Sequence, residues 1–402
     1  MADKSRIEWT DATWNPVVGC SRVSAGCDGC YAIDVAKGME RKSRGMCKDG
    51  GTPKQKALLA AYDGLTKDKA RGLDWAGIVR CRPELLDQPL RWRKPRRIFV
   101  NSMSDLFHPS VPFEFIAAVV GVMAACPKHT FQVLTKRPGR MAEWFVWVAT
   151  GGLSHHCTKA AARAVDGIGF SPADECASWP LPNVWLGVSV EDQAALPRLD
   201  DLRRCPAAVR FVSFEPLLGD VEGVDLTGIG WTIVGGESGP GARPMHPDYA
   251  RSLRDQCAAA GVPFFFKQNG AWLPTPMHLL ADYEETARMN GSGMPWWEEG
   301  GHALCMVRVG KKAAGRLLDG RTHDEWPELP HPAAPDSTAR PSEASRSADE
   351  CAASSGAGTG AESAQRAPVA DAVVTECLRA SLRQLRACCC SGCGMLVCTC
   401  RY

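Results

Sequence analysis

Net charge is nearly absent from this 402-residue chain: 47 Lys and Arg stand against 45 Asp and Glu, leaving a formal +2 at pH 7. So even a balance argues against a protein drawn to nucleic acid or an anionic membrane by bulk charge, and any polyanion contact must come from a local patch. Long apolar runs are also missing. No uncharged stretch reaches the ~18–20 residues that cross a bilayer, so no membrane association is expected. No basic-plus-apolar leader precedes the first motif, and a cytoplasmic location is the expectation. Cysteine, by contrast, is plentiful, with 19 in the chain. In a large, leaderless chain this points to reduced thiols and metal ligands, not to a disulfide framework.

With 45% hydrophobic and 23% charged residues, the chain suffices for one large domain of ~200–250 residues plus appendages, or for two ordinary domains. Its texture changes twice. Residues 1–326 read as a globular body. Residues 327–369 are rich in Pro, Ala, Ser and Gly and nearly free of large apolar side chains, so burial cannot offset their ordering entropy and a disordered linker is expected. Residues 370–402 hold a short apolar-periodic piece, Val373 to Leu385, and then a Cys-rich tail with six cysteines among the thirteen residues from Cys388 to Cys400.

Within the body, short β-branched or aromatic runs recur at Ile98–Asn101, Phe131–Thr135, Val184–Ser189, Arg210–Phe214, Thr232–Gly235 and Pro263–Gln268. Helical patterns separate them at Phe113–Ala125, Gln193–Arg204 and Asp248–Ala260, the last introduced by Pro247, which suits a first helical turn. Near-continuous apolar strands alternating with helices imply parallel strands buried on both faces, hence an α/β fold, either doubly wound or a (β/α) barrel. Polar residues end nearly every run, among them Asn101, Ser104 and Asp105, then Thr135, Lys136 and Arg137, then Ser189 and Glu191, Glu215, Glu237 and Lys267. That pattern favours a partial barrel, because barrels build their sites at the carboxyl ends of the strands. Residues 146–180 break the rhythm and read as an insertion carrying His155, His156, Cys157 and Cys176.

The strongest local signal is at the front. Cys20, Cys27 and Cys30 form C-x6-C-x2-C in a Gly-rich loop, after the short apolar run Pro16–Val18 and ahead of a helix expected to begin near Tyr31. Three thiolates on one loop suit an iron–sulfur cube with one iron left open, whereas a structural zinc closes with four protein ligands. Cys47 stands seventeen residues beyond Cys30 and would supply that fourth ligand, so a zinc site stays open at this stage. In the tail, Cys390, Cys393, Cys398 and Cys400 could hold a further zinc or cluster.

The blocks WNPVVGCSRVSAGCDGCYA, NSMSDLFH, VLTKRP, NVWLGVSVED, FEPLLG, VGGESGPGARP and KQNG, closed by GKKAAGRLLDGRTHDEWP, resemble the phage-associated three-Cys-motif family, an uncharacterised, radical-SAM-like group. The resemblance runs from about Ile7 to Pro327. It implies a radical-SAM-type partial (β/α) barrel with a [4Fe–4S] cluster on Cys20, Cys27 and Cys30, and S-adenosyl-L-methionine bound beside it. Tyr31, Asn101, Ser104, Asp105 and Ser189 are expected to face that cofactor. Gly235-Gly236-Glu237 resembles the element that binds the methionine amine, although it stands on a late strand here. Glu215, Glu237 and Lys267 are read as substrate-facing catalytic groups or as members of buried ion pairs. The loop departs from the usual C-x3-C-x2-C with an aromatic before the last cysteine. Here Gly29 precedes Cys30 and Tyr31 follows it, so the adenine contact is expected to differ.

Partners follow from the same reading: a reductant protein to deliver the electron, a three-Cys-motif partner protein implied by the resemblance, and a nucleic-acid or nucleotide substrate. The last rests on RWRKPRRIF, where Arg91, Arg93, Lys94, Arg96 and Arg97 surround Trp92, and on Lys136, Arg137 and Arg140 after the next strand. The competing reading is a non-catalytic, zinc-stabilised nucleic-acid-binding protein.

Overall fold

The computed structural model describes residues 5–49, 51–70, 72–151, 179–276, 296–299 and 302–328. Expectations for the insertion histidines and cysteines, the linker and the Cys-rich tail fall outside the described residues.

Seven strands form one all-parallel sheet in chain order: β1 (Ala12–Trp14), β2 (Arg97–Val100), β3 (Thr130–Thr135), β4 (Val184–Ser189), β5 (Val209–Phe214), β6 (Trp231–Gly235) and β7 (Phe264–Gln268). The sheet curls into a half-barrel. The helices are α1 (Tyr31–Asp49), α2 (Pro53–Ala60), α3 (Phe113–Ala124), α4 (Pro138–Gly151), α5 (Arg198–Arg203), α6 (Pro247–Ala260) and the short α7 (Lys311–Ala314). The coarse expectation of a mixed α/β fold on a parallel sheet therefore stands. The first strand, absent from the expected runs, is Ala12–Trp14, paired with Ile98–Val100, whereas Val17–Val18 pairs antiparallel with Arg80–Cys81 outside the sheet. The apolar signal of Pro16–Val18 is real, since Val17 and Val18 are fully buried, but it serves a side ribbon.

Alternation along each strand divides the core. Ile98, Phe131, Val133, Leu186, Val188, Phe214, Val234 and Phe266 face outward into one core shared with α3, ten of whose twelve residues are buried, and with residues of α4, α5 and α6. Phe99, Trp185, Phe211, Trp231 and Phe265 face inward and gather with Trp9 into an aromatic plug. Gly187 makes room for it, because a Cβ there would stand 2.5 Å from the Phe211 ring. Above the plug the inward positions become small or polar: Ser189, Ser213, Gly235 and Lys267. A large residue below and a small one above leaves a filled floor and an open upper layer at the carboxyl edge.

The outer strand β7 is not left bare. Phe266 donates its amide to the His323 carbonyl at 2.9 Å, and Phe265 bridges Asp324 in antiparallel sense. Trp326 stacks on Trp231 with centroids 4.7 Å apart. The closing block thus covers an edge that would otherwise offer free amides to another chain.

Candidate functional site

A cavity of about 240 Å³ opens at the carboxyl edge of the half-barrel. Its lining includes Cys20, Cys27, Cys30, Tyr31, Asn101, Ser104, Asp105, Ser189, Glu215, Glu237 and Lys267. Every site residue expected from the sequence thus lines one space, although the residues come from five separate strand ends and the front loop. Cys47 lies in α1 outside this lining, and its side chain is outside the described residues.

The cysteine loop is fastened to the sheet edge by side chains far away in sequence. Arg137 donates from Nη2 to the Ser21 carbonyl at 2.8 Å and to Ser21 Oγ at 3.0 Å, while its Nη1 lies 2.9 Å from Asp105 Oδ2 and 3.8 Å from Cys20 Sγ. Ser24 Oγ donates to Glu191 Oε1 at 2.6 Å, and Arg243 Nη2 donates to the Ala25 carbonyl at 2.9 Å. Two glycines permit this approach. A Cβ on Gly26 would run into the Glu191 side chain, and one on Gly29 would run into Glu237 Oε1. Gly29, the departure from the usual loop pattern, is therefore there for contact with Glu237.

Electrostatics in the cavity are arranged in pairs. Asp105 accepts from Thr135 Oγ1 at 2.7 Å, from the amides of Phe107 and Lys136, and from Arg137, so this carboxylate orients Arg137 and has little left for a ligand. Glu191 accepts Lys136 and Arg198, each at 2.7 Å. Burial acts to raise its carboxyl, but Lys136, Ser24 and Arg198 outweigh it and hold the group below the usual range. Glu237 is bound bidentately by Arg243 at 2.7 and 2.8 Å and also accepts the Arg243 amide. Lys267 Nζ stands 2.8 Å from Glu215 Oε1. Glu215, Glu237 and Lys267 thus realise the ion-pair alternative while still lining the cavity.

The thiols sit in a mixed field. Burial pushes Cys20 up to about 12, assisted by Asp105 and Cys30 and opposed by Arg137. Burial raises Cys30 too, against the amides of Ala32 and Ile33 in the first turn of α1. Repulsion between neighbouring thiolates and desolvation are the terms a bound cation would relieve, while a helix start and an arginine favour the negative charge of thiolate ligands. Among the described residues no three His, Cys, Asp or Glu side chains stand close enough together to hold a single metal ion.

Asn101 is the strained member of the site. It is a non-glycine residue at φ 63°, 2% exposed, and accepts the Val17 amide on Oδ1 at 3.2 Å. Its Nδ2 is buried and has no hydrogen-bond partner among the described residues. Strain and an unpaired buried donor are each unfavourable by on the order of 1–3 kcal/mol and collect where a ligand is to be held. Ser104 donates its hydroxyl to the Val17 carbonyl at 2.8 Å, and Tyr31 donates to the Ser102 carbonyl at 2.8 Å. Both also shape the approach to the loop.

The basic run ends up elsewhere. Arg97 opens β2 at the amino edge, where it binds Asp11 and lies 4.0 Å over the Trp326 ring. Arg96 lies 5.0 Å over Trp92, and Arg91 pairs with Asp87. Lys136 and Arg137, grouped with this run by charge alone, belong to the cavity, and Arg140 donates to the carbonyls of Pro109 and Val111.

A family model described as a protein of unknown function, DUF5131, matches residues 4–327. The chain belongs to the DUF5131 family. The matched span contains every residue that lines the cavity. No curated protein and no solved structure matches the chain. Among the described residues, no helix is long and apolar enough to cross a membrane.

Proposed function

We propose that this DUF5131 protein is an iron–sulfur enzyme of the radical S-adenosylmethionine type, with Cys20, Cys27 and Cys30 as the cluster ligands. The observation that carries the reading is the lining of one cavity, at the carboxyl edge of a half-barrel, by three thiols of a single loop together with the unpaired amide of Asn101. A polynuclear cluster takes each thiolate on a different metal atom, so its ligands need to surround a common space and not converge on one point. Cys30 at the start of α1 and Arg137 beside Cys20 suit the negative charge of such a group.

Held by Cys20, Cys27 and Cys30, the cluster would supply one-electron reducing chemistry beside bound S-adenosylmethionine. The chain's own residues do positioning work. Arg137 fixes the loop, Gly26 and Gly29 allow it to seat, and Asn101 Nδ2 offers a donor to the cofactor's carboxylate. The aromatic plug closes the cavity from below and keeps water from the reacting atoms.

Anaerobic reconstitution with iron and sulfide, followed by electron paramagnetic resonance of the reduced protein with and without S-adenosylmethionine, tests the reading. The expected result is a [4Fe–4S] signal that shifts with S-adenosylmethionine and is lost in Cys27→Ala. A colourless protein holding stoichiometric zinc would overturn it in favour of a metal-stapled binding protein.

A further inference from the structure

Among the described residues, the charges lining the cavity leave no cation free for an anionic substrate. Arg137 is committed to Asp105 at 2.9 Å, Lys136 to Glu191 at 2.7 Å and Lys267 to Glu215 at 2.8 Å, while the lining carboxylate Glu237 is held by Arg243. A phosphate entering here would have to break one of these pairs, because tight phosphate sites rely on Arg forks, Lys ammonium charges and amides facing the anion. The lower wall is apolar and ring-lined, formed by Ile7, Trp9, Phe99 and Leu134. Of these side chains Trp9 is 1% exposed and its Nε1 has no acceptor among the described residues. Beside them the Lys267–Glu215 pair offers a donor next to an acceptor, with Ser213 Oγ donating to Glu215 Oε2 at 3.1 Å.

From this combination we infer that the substrate group entering the cavity is an uncharged heteroaromatic ring with hydrogen-bond acceptors on its edge, a nucleobase, and that any phosphate attached to it stays outside the rim. The inference rests on the proposed function for the chemistry done to the ring, but the binding claim stands on the cavity alone. Stacking on aromatic side chains accepts any base, and the Trp9 and Lys267–Glu215 contacts select among them. A free nucleoside and a base turned out of a polynucleotide present the same ring. The wall does not distinguish them.

The experiment titrates the full-length, cluster-loaded, unreduced protein, saturated with S-adenosylmethionine, with four ribonucleosides, their 5′-monophosphates and a short single-stranded oligonucleotide with and without one abasic position. The expected result is binding of at least one nucleoside, with its monophosphate within twofold of it. If only the oligonucleotide binds, loss of that binding at the abasic position supports the ring site and identifies a polynucleotide as its source. Trp9→Phe, which keeps a ring but removes the N–H, and the charge-neutral double variant Lys267→Met/Glu215→Gln should each weaken binding at least fivefold at unchanged secondary structure. A monophosphate at least tenfold tighter than its nucleoside, no binding of any of these probes, wild-type affinity in both variants, or loss of nucleoside binding on saturation with S-adenosylmethionine would overturn it. The last outcome would assign the ring wall to the cofactor's own adenine. If the protein takes up no cluster, the same titration on the metal-free chain still decides the binding claim.

Discussion

At the amino edge of the sheet charge holds the structure together, and at the carboxyl edge it surrounds an open space. Arg97 binds Asp11 and covers Trp326 at the foot of β2, and the plug of Trp9, Phe211 and Trp231 fills the interior behind it. One strand length away, ion pairs of similar geometry line a cavity that also receives three thiols and an unpaired amide. The difference lies in inward side-chain size along the same strands: Trp185 and Phe211 below, Ser189 and Ser213 above. One fold thus devotes its bottom to packing and its top to a site. A basic residue in the sequence means something different at each end.

The sharpest way to break that contrast is at Gly29. Glu237 cannot retreat from an added methyl, since Arg243 holds both of its oxygens. Gly29→Ala should therefore lift the cysteine loop and reduce iron bound per chain after reconstitution at least fivefold, measured by iron assay on protein with an unchanged circular dichroism spectrum. Gly38→Ala is the control, because a Cβ there meets nothing within 4 Å, and it should bind iron as the wild type does. Full iron uptake by Gly29→Ala would sink the account of the loop.

Arg137 comes next. Hydrogen bonds to cluster sulfurs raise the reduction potential, so Arg137→Lys, which keeps the charge and loses the fork, should retain iron while its midpoint moves negative. The shift expected is about 59 mV, a tenfold change in the reduced fraction of a one-electron couple. An unchanged midpoint in a redox titration followed by electron paramagnetic resonance would show that Arg137 only anchors Ser21.

His108 gives a pH test of the same anchor. Its Nδ1 accepts the Ser110 amide at 3.1 Å, which leaves the Nε2 proton for Ser21 Oγ at 2.8 Å. Burial first, then Arg137, push the imidazole down to about 4 from 6.5. The unfolded chain binds a proton below about 6.5 that the folded chain refuses until about 4, so stability falls as pH drops through that window, by on the order of 2–3 kcal/mol. His108→Gln should flatten the slope of denaturation midpoint against pH between about 6.5 and 4. An equal slope in the variant would assign the acid sensitivity to other groups.

Much of this frame was legible beforehand because buried parallel strands are continuous apolar runs with a polar end. The apolar run Val184–Ser189 has the bounds of the strand itself, and the residues at those strand ends line one cavity. What could not be read is instructive in its distances. Ser24 and Glu191 are 167 residues apart, and Arg243 and Ala25 are 218 apart; no periodicity connects such pairs. Their only local trace is glycine at positions 26 and 29. The polar hairpin Thr66–Lys69 and Gly72–Trp75 carries too little apolar alternation to announce itself. The basic run shows the complementary case: its charge is obvious in sequence, while Asp11 and Trp326, which engage Arg97, lie far from it along the chain.

Charge reversal at that run is the smallest and most discriminating test of the comparison. In Arg96→Glu/Arg97→Glu, two side chains that pair or stack at the amino edge are inverted, and Asp11 then faces a like charge. Arg97 and Asp11 are 38% and 45% exposed, so water screens the repulsion and the destabilisation should stay near 1 kcal/mol. Iron uptake, nucleoside affinity and the response to S-adenosylmethionine should not change, because those properties belong to the other end of the strands. If binding to single-stranded oligonucleotide falls tenfold in this variant while nucleoside binding holds, the amino edge also carries the backbone of a long substrate. The division of labour between the two edges would then have to be redrawn around a chain of phosphates running along the outside of the half-barrel.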